Sequence, residues 1–273
     1  MNKRPVLAGL SAAALALTLA ACGSSSDSSG SKASDSPSSG STGATVTTIS
    51  SGKLTVCSDV PYAPFETEDS SSPSGFSGFD IDVIQKIADG MGLKLAVVPT
   101  SFAPIQSGVA LNSSQCDVAA SAITINDERK QKIDFSDPYF DSEQSLLVPD
   151  NSSIKTIDDL AGKNVGVQDS TTGQTYTTEH APQAKVIAFP DDGKMFQALK
   201  AGSVDALLQD IGVNALHQKA GGYKIVQTYD TKEQYGFAIK KGNTTLLDAV
   251  NSGLEKLRAD GEYKTIYTKY FGS

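Results

Sequence analysis

The sequence predicts an α/β protein of two lobes, in which each lobe is a sheet wound by βαβ units and two crossovers join the lobes. Strand-like apolar runs alternate with helical patterns twice, between residues 53 and 140 and again between residues 157 and 210. A further strand-like run at 235–239 could return the chain to the first lobe. We therefore expect lobe 1 to hold residues 51–144 and 237–273 and lobe 2 to hold residues 145–236, with a hinge between them.

The amino terminus has the parts of an export signal of lipoprotein type at residues 1–21. A basic start precedes an apolar run that is too short and wrongly flanked for a convincing membrane span. Leu19-Ala20-Ala21-Cys22 resembles the lipobox of bacterial lipoproteins. That resemblance implies cleavage before Cys22, a diacylglyceryl anchor with palmitate-type chains on its sulfur, and a place on the extracytoplasmic face of the cell membrane. The alternative is a cleaved secretory peptide with an incidental cysteine.

Residues 22–50 form the predicted link between this anchor and the folded part. Residues 23–44 are almost entirely Ser, Gly, Asp, Thr, Ala and Lys, which cannot bury enough apolar surface to fold. The formal charge of the chain is −8, so an electrostatic footprint for nucleic acid is absent.

Lobe 1 is predicted from alternating periodicities. Apolar residues at 79, 83, 84, 87, 88 and 91 share one helical face, and Gly90 and Gly92 end that helix. The predicted elements are a strand at 53–57, a loop at 58–65, the helix from 79, a strand at 93–99, a helix at 102–111 and a strand at 118–125.

Lobe 2 repeats the alternation of strand and helix patterns. Its Ser/Thr/Gly turn at 169–173, between a strand and a helix start, is suited to binding an anion. The predicted elements are a short helix at 157–163, a strand at 164–167, a helix from 174, a strand at 185–189, a helix at 191–201 and a strand at 204–208, followed by the strand at 235–239 and closing helices at 245–257 and 263–270.

Arg129 stands in the first turn of a helix that the sequence predicts to begin at Asn126. Asn126 is a good N-cap, and Asp127 and Glu128 suit the positive end of the helix dipole. An arginine there opposes the dipole, and an anion held between the free N–H groups and the guanidinium would explain it. The alternative is a surface arginine offset by the two acids.

Cys57 and Cys116 are an even pair once Cys22 carries a lipid, and an exported protein meets an oxidising compartment. A disulfide and two buried thiols both remain open, because the geometry decides between them.

Three segments together resemble the extracellular solute-binding proteins of family 3, the amino-acid receptors of bacterial ABC importers. They are GFDIDV at 78–83, YAPF at 62–65, and ITINDER at 123–129 followed by IDFSDPY at 133–139. The resemblance runs from about residue 53 to residue 271. It implies a two-lobed fold of the periplasmic-binding-protein-like type II.

The resemblance also implies a site for one amino acid. The residues are, for the α-carboxylate, Arg129, Thr124, Ser170, Thr171 and Thr172; for the α-ammonium, Asp210, Ser121 and Ala122; and, for the side chain, Asp59, Tyr62 and Phe102. Structural alternatives are a loop cap for Asp59, a helix cap for Asp210 and core packing for the two aromatics. Asp59 between two aromatics favours a basic side chain or glutamine.

The implied function is that of a monomeric substrate-binding lipoprotein that delivers an amino acid to a membrane permease, with no cofactor. The alternatives are a lyase or dehydratase on the same fold, and a lipoprotein that senses a ligand. An enzyme needs a general acid or base, and the two histidines, His180 and His217, lie outside the predicted cleft loops. They also lack the spacing of metal ligands. We therefore expect no catalytic residue and no metal.

Overall fold

The structure is a computed structural model, and it describes residues 46–272. The predicted signal, Cys22 and most of the predicted linker lie outside these residues. The described chain forms two five-stranded sheets and a two-stranded ribbon. The predicted two-lobed α/β class is confirmed. None of the helices in this range combines the length and apolar character that a membrane crossing requires.

The elements follow the chain in two groups. From residue 53 they are β1 (Lys53–Ser58), β2 (Thr67–Glu68), β3 (Phe76–Ser77), α1 (Phe79–Gly90), β4 (Lys94–Pro99), α2 (Phe102–Gln106), α3 (Val109–Asn112), β5 (Val118–Ala119), α4 (Asp127–Lys130) and β6 (Ile133–Phe135). From residue 140 they are β7 (Phe140–Pro149), β8 (Asn164–Gln168), α5 (Thr172–His180), β9 (Lys185–Phe189), α6 (Asp192–Lys200), β10 (Ala206–Asp210), α7 (Ile211–Ala220), β11 (Tyr223–Tyr235), β12 (Ala238–Lys240), α8 (Thr244–Ala259) and α9 (Glu262–Phe271). A 3-10 turn at Ile157–Leu160 stands where the sequence predicts a short helix.

Both sheets are mixed. The sheet of lobe 1 has the order β4-β1-β5-β12-β6, in which β12 runs antiparallel to both of its neighbours. The sheet of lobe 2 has the order β11-β7-β10-β8-β9, in which β7 is antiparallel to β10 and β11. Because β12 follows lobe 2 in the chain yet completes the first sheet, the chain crosses between the lobes twice.

Helix α1 anchors the core of lobe 1. Its predicted apolar face is buried, with Val83, Ile84 and Ile87 each no more than 1% exposed. Burying one such side chain contributes about 1.5–3 kcal/mol. A Cβ on Gly253 of α8 would stand 2.9 Å from Ile87, so the two helices pack closely.

Gly78 allows the loop before it to lie on the start of α1. Its φ is +134°, and a Cβ there would stand 2.1 Å from the carbonyl oxygen of Phe65. The backbone N–H of Asp80 donates to that same oxygen at 3.1 Å. The loop and the first turn of α1 are thereby fixed to each other.

Three predicted elements are wrong in extent. The predicted strand at 235–239 spans the last residue of β11, Tyr235, and the start of β12 at Ala238. The predicted strand at 118–125 ends at Ala119, and Ala122 has a φ of +44°. The rest of that run is buried beside the cleft, and its residues are as apolar as those of a buried strand. The predicted helix at 102–111 is two short helices, because Gly108 breaks it with a φ of +76°.

Cys57 and Cys116 form a disulfide, with their Sγ atoms 2.08 Å apart. Both are buried in the core between β1 and β5. The bond ties the end of β1 to the segment that leads into β5.

Candidate ligand-binding site

A small cavity of about 20 Å³ lies between the lobes. Apart from Arg129 of α4, its walls are residues at or just beyond the carboxyl ends of β1, β4, β5, β8 and β10, where open α/β sheets bind ligands. The lining residues are Asp59, Tyr62, Phe102, Ser121, Ala122, Thr124, Arg129, Gln168, Thr171, Thr172 and Asp210. The structure thus brings together every residue predicted for the site except Ser170, and adds Gln168.

Arg129 is the buried cation of this cavity, with 3% of its surface exposed. Asn126 caps α4 as predicted, since its Oδ1 accepts from the backbone N–H of Arg129 at 2.9 Å. The guanidinium donates to the carbonyl oxygens of Thr124 at 2.9 Å and Ser170 at 3.4 Å, and its Cζ lies 5.2 Å from the ring centroid of Phe102. Burial lowers its pKa to about 10.

The guanidinium of Arg129 is not neutralised by a direct partner. None of the salt bridges within residues 46–272 involves it. A buried cation without an ion-pair partner is costly, so this group is suited to receive an anion. The surface-arginine alternative does not hold.

Asp210 ends β10 and faces the cavity from lobe 2. Its side chain makes no capping hydrogen bond to α7. Instead, Oδ2 accepts from the hydroxyl of Tyr62 at 2.7 Å, and Oδ1 accepts from Nε2 of Gln144 at 2.6 Å. Burial, and then the nearby charge of Glu233, raise the pKa of the Asp210 carboxyl to about 7.

Glu233 is a further buried carboxyl, which no motif in the sequence indicated. Its Oε2 accepts from the hydroxyls of Thr124 at 2.6 Å and Thr172 at 2.8 Å, and its Oε1 accepts from Nε2 of Gln144 at 3.0 Å. The pairing of β11 with β7 is irregular between Tyr229 and Glu233. Two of the three threonines predicted to serve a ligand carboxylate, Thr124 and Thr172, therefore already act as donors to a carboxylate.

Ser121 and Ala122 form the wall after β5. The hydroxyl of Ser121 donates to Oε1 of Glu66 at 2.6 Å, and its oxygen accepts from the backbone N–H of Asp59 at 3.0 Å. The backbone N–H of Ala122 donates to Oδ2 of Asp80 at 2.7 Å.

Asp59 and Gln168 meet across the cavity from opposite lobes. Nε2 of Gln168 donates to Oδ2 of Asp59 at 2.5 Å. Burial raises the pKa of the Asp59 carboxyl to about 6. Gln168 is the last residue of β8, and its place at the end of a parallel strand is the signal by which the sequence could have indicated it.

The turn before α5 contributes unequally. Thr171 is the N-cap, and its Oγ1 accepts from the backbone N–H of Gln174 at 3.2 Å. Ser170 does not line the cavity: its hydroxyl donates to Asp169 at 3.1 Å, and its carbonyl oxygen receives Arg129. Ser170 therefore acts through its backbone.

The histidines stand apart from this site. His180 stacks on Tyr176, and His217 bonds Asp192 at 2.9 Å, but neither lines the cavity. Among the residues that the structure describes, His, Cys, Asp and Glu form no group arranged to hold a metal ion.

The cavity thus joins a buried cation to a cluster of carboxyls within a small volume. Arg129 and Asp210 come from opposite lobes, and hydrogen bonds from Tyr62 and Gln168 cross between the lobes. A small ligand with one anionic and one cationic group would satisfy both ends.

Three relatives share this architecture or sequence. The chain is 35% identical over 223 residues to a probable histidine-binding protein of Neisseria gonorrhoeae, covering 79% of this chain and 82% of that protein. It is 35% identical over 209 residues to the ABC transporter glutamine-binding protein GlnH of Bacillus subtilis (strain 168), covering 73% and 74%. The structure of an ancestral arginine-binding protein bound to glutamine superimposes with a TM-score of 0.76 at 40% identity, covering 81% of this chain and 99% of that one.

The family model matches nearly the whole described chain. Residues 54–273 match the model for bacterial extracellular solute-binding proteins, family 3. This span contains both sheets and every cavity residue. The chain therefore belongs to the bacterial extracellular solute-binding proteins of family 3.

Proposed function

We propose that this protein captures one polar amino acid between its lobes and delivers it to the permease of an ABC importer. The observation that carries the proposal is the buried Arg129, which meets no carboxylate at ion-pair distance within residues 46–272 and faces a cavity closed by Asp210 of the other lobe. By family the chain is a solute-binding protein and not an enzyme.

The α-carboxylate of the ligand binds Arg129 in this proposal. A guanidinium has five N–H donors, and the two hydrogen bonds to the carbonyls of Thr124 and Ser170 leave others to face a carboxylate. Thr124 and Thr172 add hydroxyl donors, which in the unliganded protein donate to the carboxylate of Glu233. The Thr171–Thr172 turn extends the same surface from lobe 2.

The α-ammonium binds Asp210, with the oxygen of Ser121 beside it. The hydroxyl of Ser121 donates its only hydrogen bond to Glu66, so towards the ligand the oxygen of Ser121 can only accept a hydrogen bond. The positive charge of the ligand favours the ionised form of Asp210, whose pKa is raised to about 7 without a ligand. Ligand contact with both lobes would stabilise the closed arrangement by its differential affinity.

The side chain of the ligand extends towards Asp59 and Gln168, between Tyr62 and Phe102. Asp59 offers a negative charge and Gln168 an amide, which suit a basic or amide side chain and disfavour a second carboxylate. The relatives named for binding histidine, glutamine or arginine agree with this class.

The chain is anchored through lipid on Cys22 in this proposal, and residues 23–50 hold the binding domain away from the membrane. Lobe 1 comprises 51–144 and 237–273, and lobe 2 comprises 145–236. Mass spectrometry of the membrane fraction tests the anchor, since Cys22→Ser should release the protein.

A thermal-shift screen of the purified protein against the common amino acids tests the function. At a ligand concentration about a hundredfold above the dissociation constant, stability should rise by about 2.7 kcal/mol. We expect the shift with arginine, lysine, ornithine or glutamine. The absence of a shift with any amino acid would overturn the proposal.

A further inference from the structure

Two fully buried carboxyls lie directly behind the wall that Ser121 and Ala122 form. Glu66 and Asp80 are both 0% exposed. None of the salt bridges within residues 46–272 includes either of them. Asp80 lies in the first turn of α1, where the helix dipole favours an acid, but a dipole alone does not require complete burial.

The backbone brings together the two segments that carry these side chains. The loop that carries Glu66 lies on the first turn of α1, which carries Asp80, because Gly78 permits the close approach. A Cβ at Gly78 would stand 2.7 Å from the backbone nitrogen of Glu66.

In each carboxyl, one oxygen accepts a hydrogen bond and the other has no hydrogen-bond partner. Oε1 of Glu66 accepts from Ser121, and Oδ2 of Asp80 accepts from the N–H of Ala122 and from the hydroxyl of Tyr139 at 2.6 Å. Oε2 of Glu66 and Oδ1 of Asp80 are buried without any hydrogen-bond partner. Two ionised carboxylates cannot satisfy each other, whereas one proton between them satisfies both unpartnered oxygens.

We propose that Glu66 and Asp80 share one proton, held between Oε2 of Glu66 and Oδ1 of Asp80, and that this pair positions Ser121 and Ala122 for the ligand. The second half rests on the proposed function. Glu66 is the neutral member, because its Oε1 must accept from Ser121 while its proton faces Asp80. Asp80 remains the anion that holds the N–H of Ala122, a residue with a φ of +44°.

The pair fixes the polarity of the Ser121 hydroxyl. With its hydrogen committed to Glu66, Ser121 presents only an acceptor to the cavity and therefore favours a ligand N–H donor such as an ammonium. A proton on Oε1 of Glu66 would reverse this polarity. Glu66 and Asp80 are positioning residues in this sense.

The surroundings agree with one retained proton. Burial first, and then the charge of Asp80, raise the pKa of Glu66 well above its usual range. The other titratable groups that face the pair are Asp59 and Asp210 from the cavity, the phenol of Tyr139 behind Asp80 and the phenol of Tyr263 from α9. None of these supplies a positive charge.

Infrared spectroscopy of the unliganded protein tests the shared proton. The spectrum at about pH 8, above the pKa of about 7 for Asp210, should contain the carbonyl band of a protonated carboxyl. Glu66→Gln should remove that band, and Glu68→Gln, an exposed neighbour, should leave it. A band unaffected by Glu66→Gln would overturn the proposal.

Unfolding measured against pH gives a second readout. A carboxyl with a raised pKa contributes stability that is lost as the pH rises through that pKa. The wild type should therefore lose stability on alkalinisation, and Glu66→Gln should flatten this loss because its amide N–H replaces the shared proton. Parallel curves for the two proteins would count against the pair.

Ligand titration tests the positioning role. Glu66→Ala should weaken binding of arginine or glutamine about tenfold, the equivalent of one hydrogen bond. Glu66→Gln should restore most of the affinity, because it again accepts from Ser121 and donates to Asp80. Equal losses in both variants would refute positioning by the pair. A wild type that binds no amino acid would instead refute the proposed function and leave the infrared and unfolding results to stand.

Discussion

Replacing Arg129 by Lys keeps a positive charge in the cavity and changes only its shape and donor pattern. The guanidinium bonds two carbonyl oxygens, one from each lobe, and lies over Phe102. An ammonium has three donors on a flexible stem and cannot form a planar pair with a carboxylate. We expect the α-carboxylate to lose at least one charge-assisted hydrogen bond.

The magnitude follows from that loss. A hydrogen bond to a charged group contributes about 1.5–3 kcal/mol net, so binding should weaken about 10- to 200-fold. The loss should be similar for every α-amino acid that binds, because all of them present the same carboxylate. A loss of affinity confined to one amino acid would indicate that Arg129 contacts the side chain of the ligand and not its α-carboxylate.

Isothermal titration calorimetry measures this effect, and Arg258→Lys provides a matched control. Arg258 is exposed, bonds the carbonyl oxygen of Pro138 and lies 5.6 Å from the ring of Tyr263, so it has a similar setting away from the cavity. We expect wild-type affinity for the control. If Arg129→Lys also binds with wild-type affinity, the carboxylate anchor is not Arg129.

Three further predictions concern other parts of the molecule. Asp59→Asn keeps an acceptor for Gln168 but removes the charge, so calorimetry should show arginine binding weakened about tenfold and small apolar amino acids little affected; equal losses would contradict its role. Because the pKa of Asp59 is raised to about 6 and that of Asp210 to about 7, the affinity for the ligand should fall from about pH 8 to about pH 5 as both carboxyls take up protons. The same protons stabilise the unliganded protein, which should lose that stability as the pH rises. Titrations at several pH values would contradict this if affinity rose on acidification. Replacing Cys57 and Cys116 by Ser should lower the free energy of unfolding by about 4 kcal/mol, because the bond closes a loop with a sequence separation of 59; an unchanged urea midpoint would show that the bond adds nothing.

The sequence predicted those parts of the site in which a residue conflicts with its local structure or matches the family pattern. Arg129 opposes a helix dipole, so its own position pointed to an anion, whereas Asp210 was implied only by the resemblance to family 3. Gln144 and Glu233 were not predicted, because they lie inside β7 and β11 and meet only once these two strands are paired. Their role depends on contacts between residues far apart in the chain.

The predicted extent of β5 was wrong for a related reason. Ala120 and Ile123 are fully buried although they lie beyond β5, because each packs in a hydrophobic core cluster. Composition reports burial and cannot separate a buried loop from a buried strand. Gly108 lies inside the predicted helix at 102–111, and its φ of +76°, with Ile133 packed where a Cβ would stand, separates α2 from α3.

The disulfide between Cys57 and Cys116 also bears on the order of events when a ligand arrives. It joins the strand that leads to Asp59 to the segment that leads to Ser121, so this part of the lobe 1 surface is held together without help from lobe 2. Most cavity residues, including Arg129, belong to lobe 1. Association should therefore begin as docking onto a preformed half-site, with a second, concentration-independent kinetic phase as lobe 2 brings Asp210 and Gln168 into place.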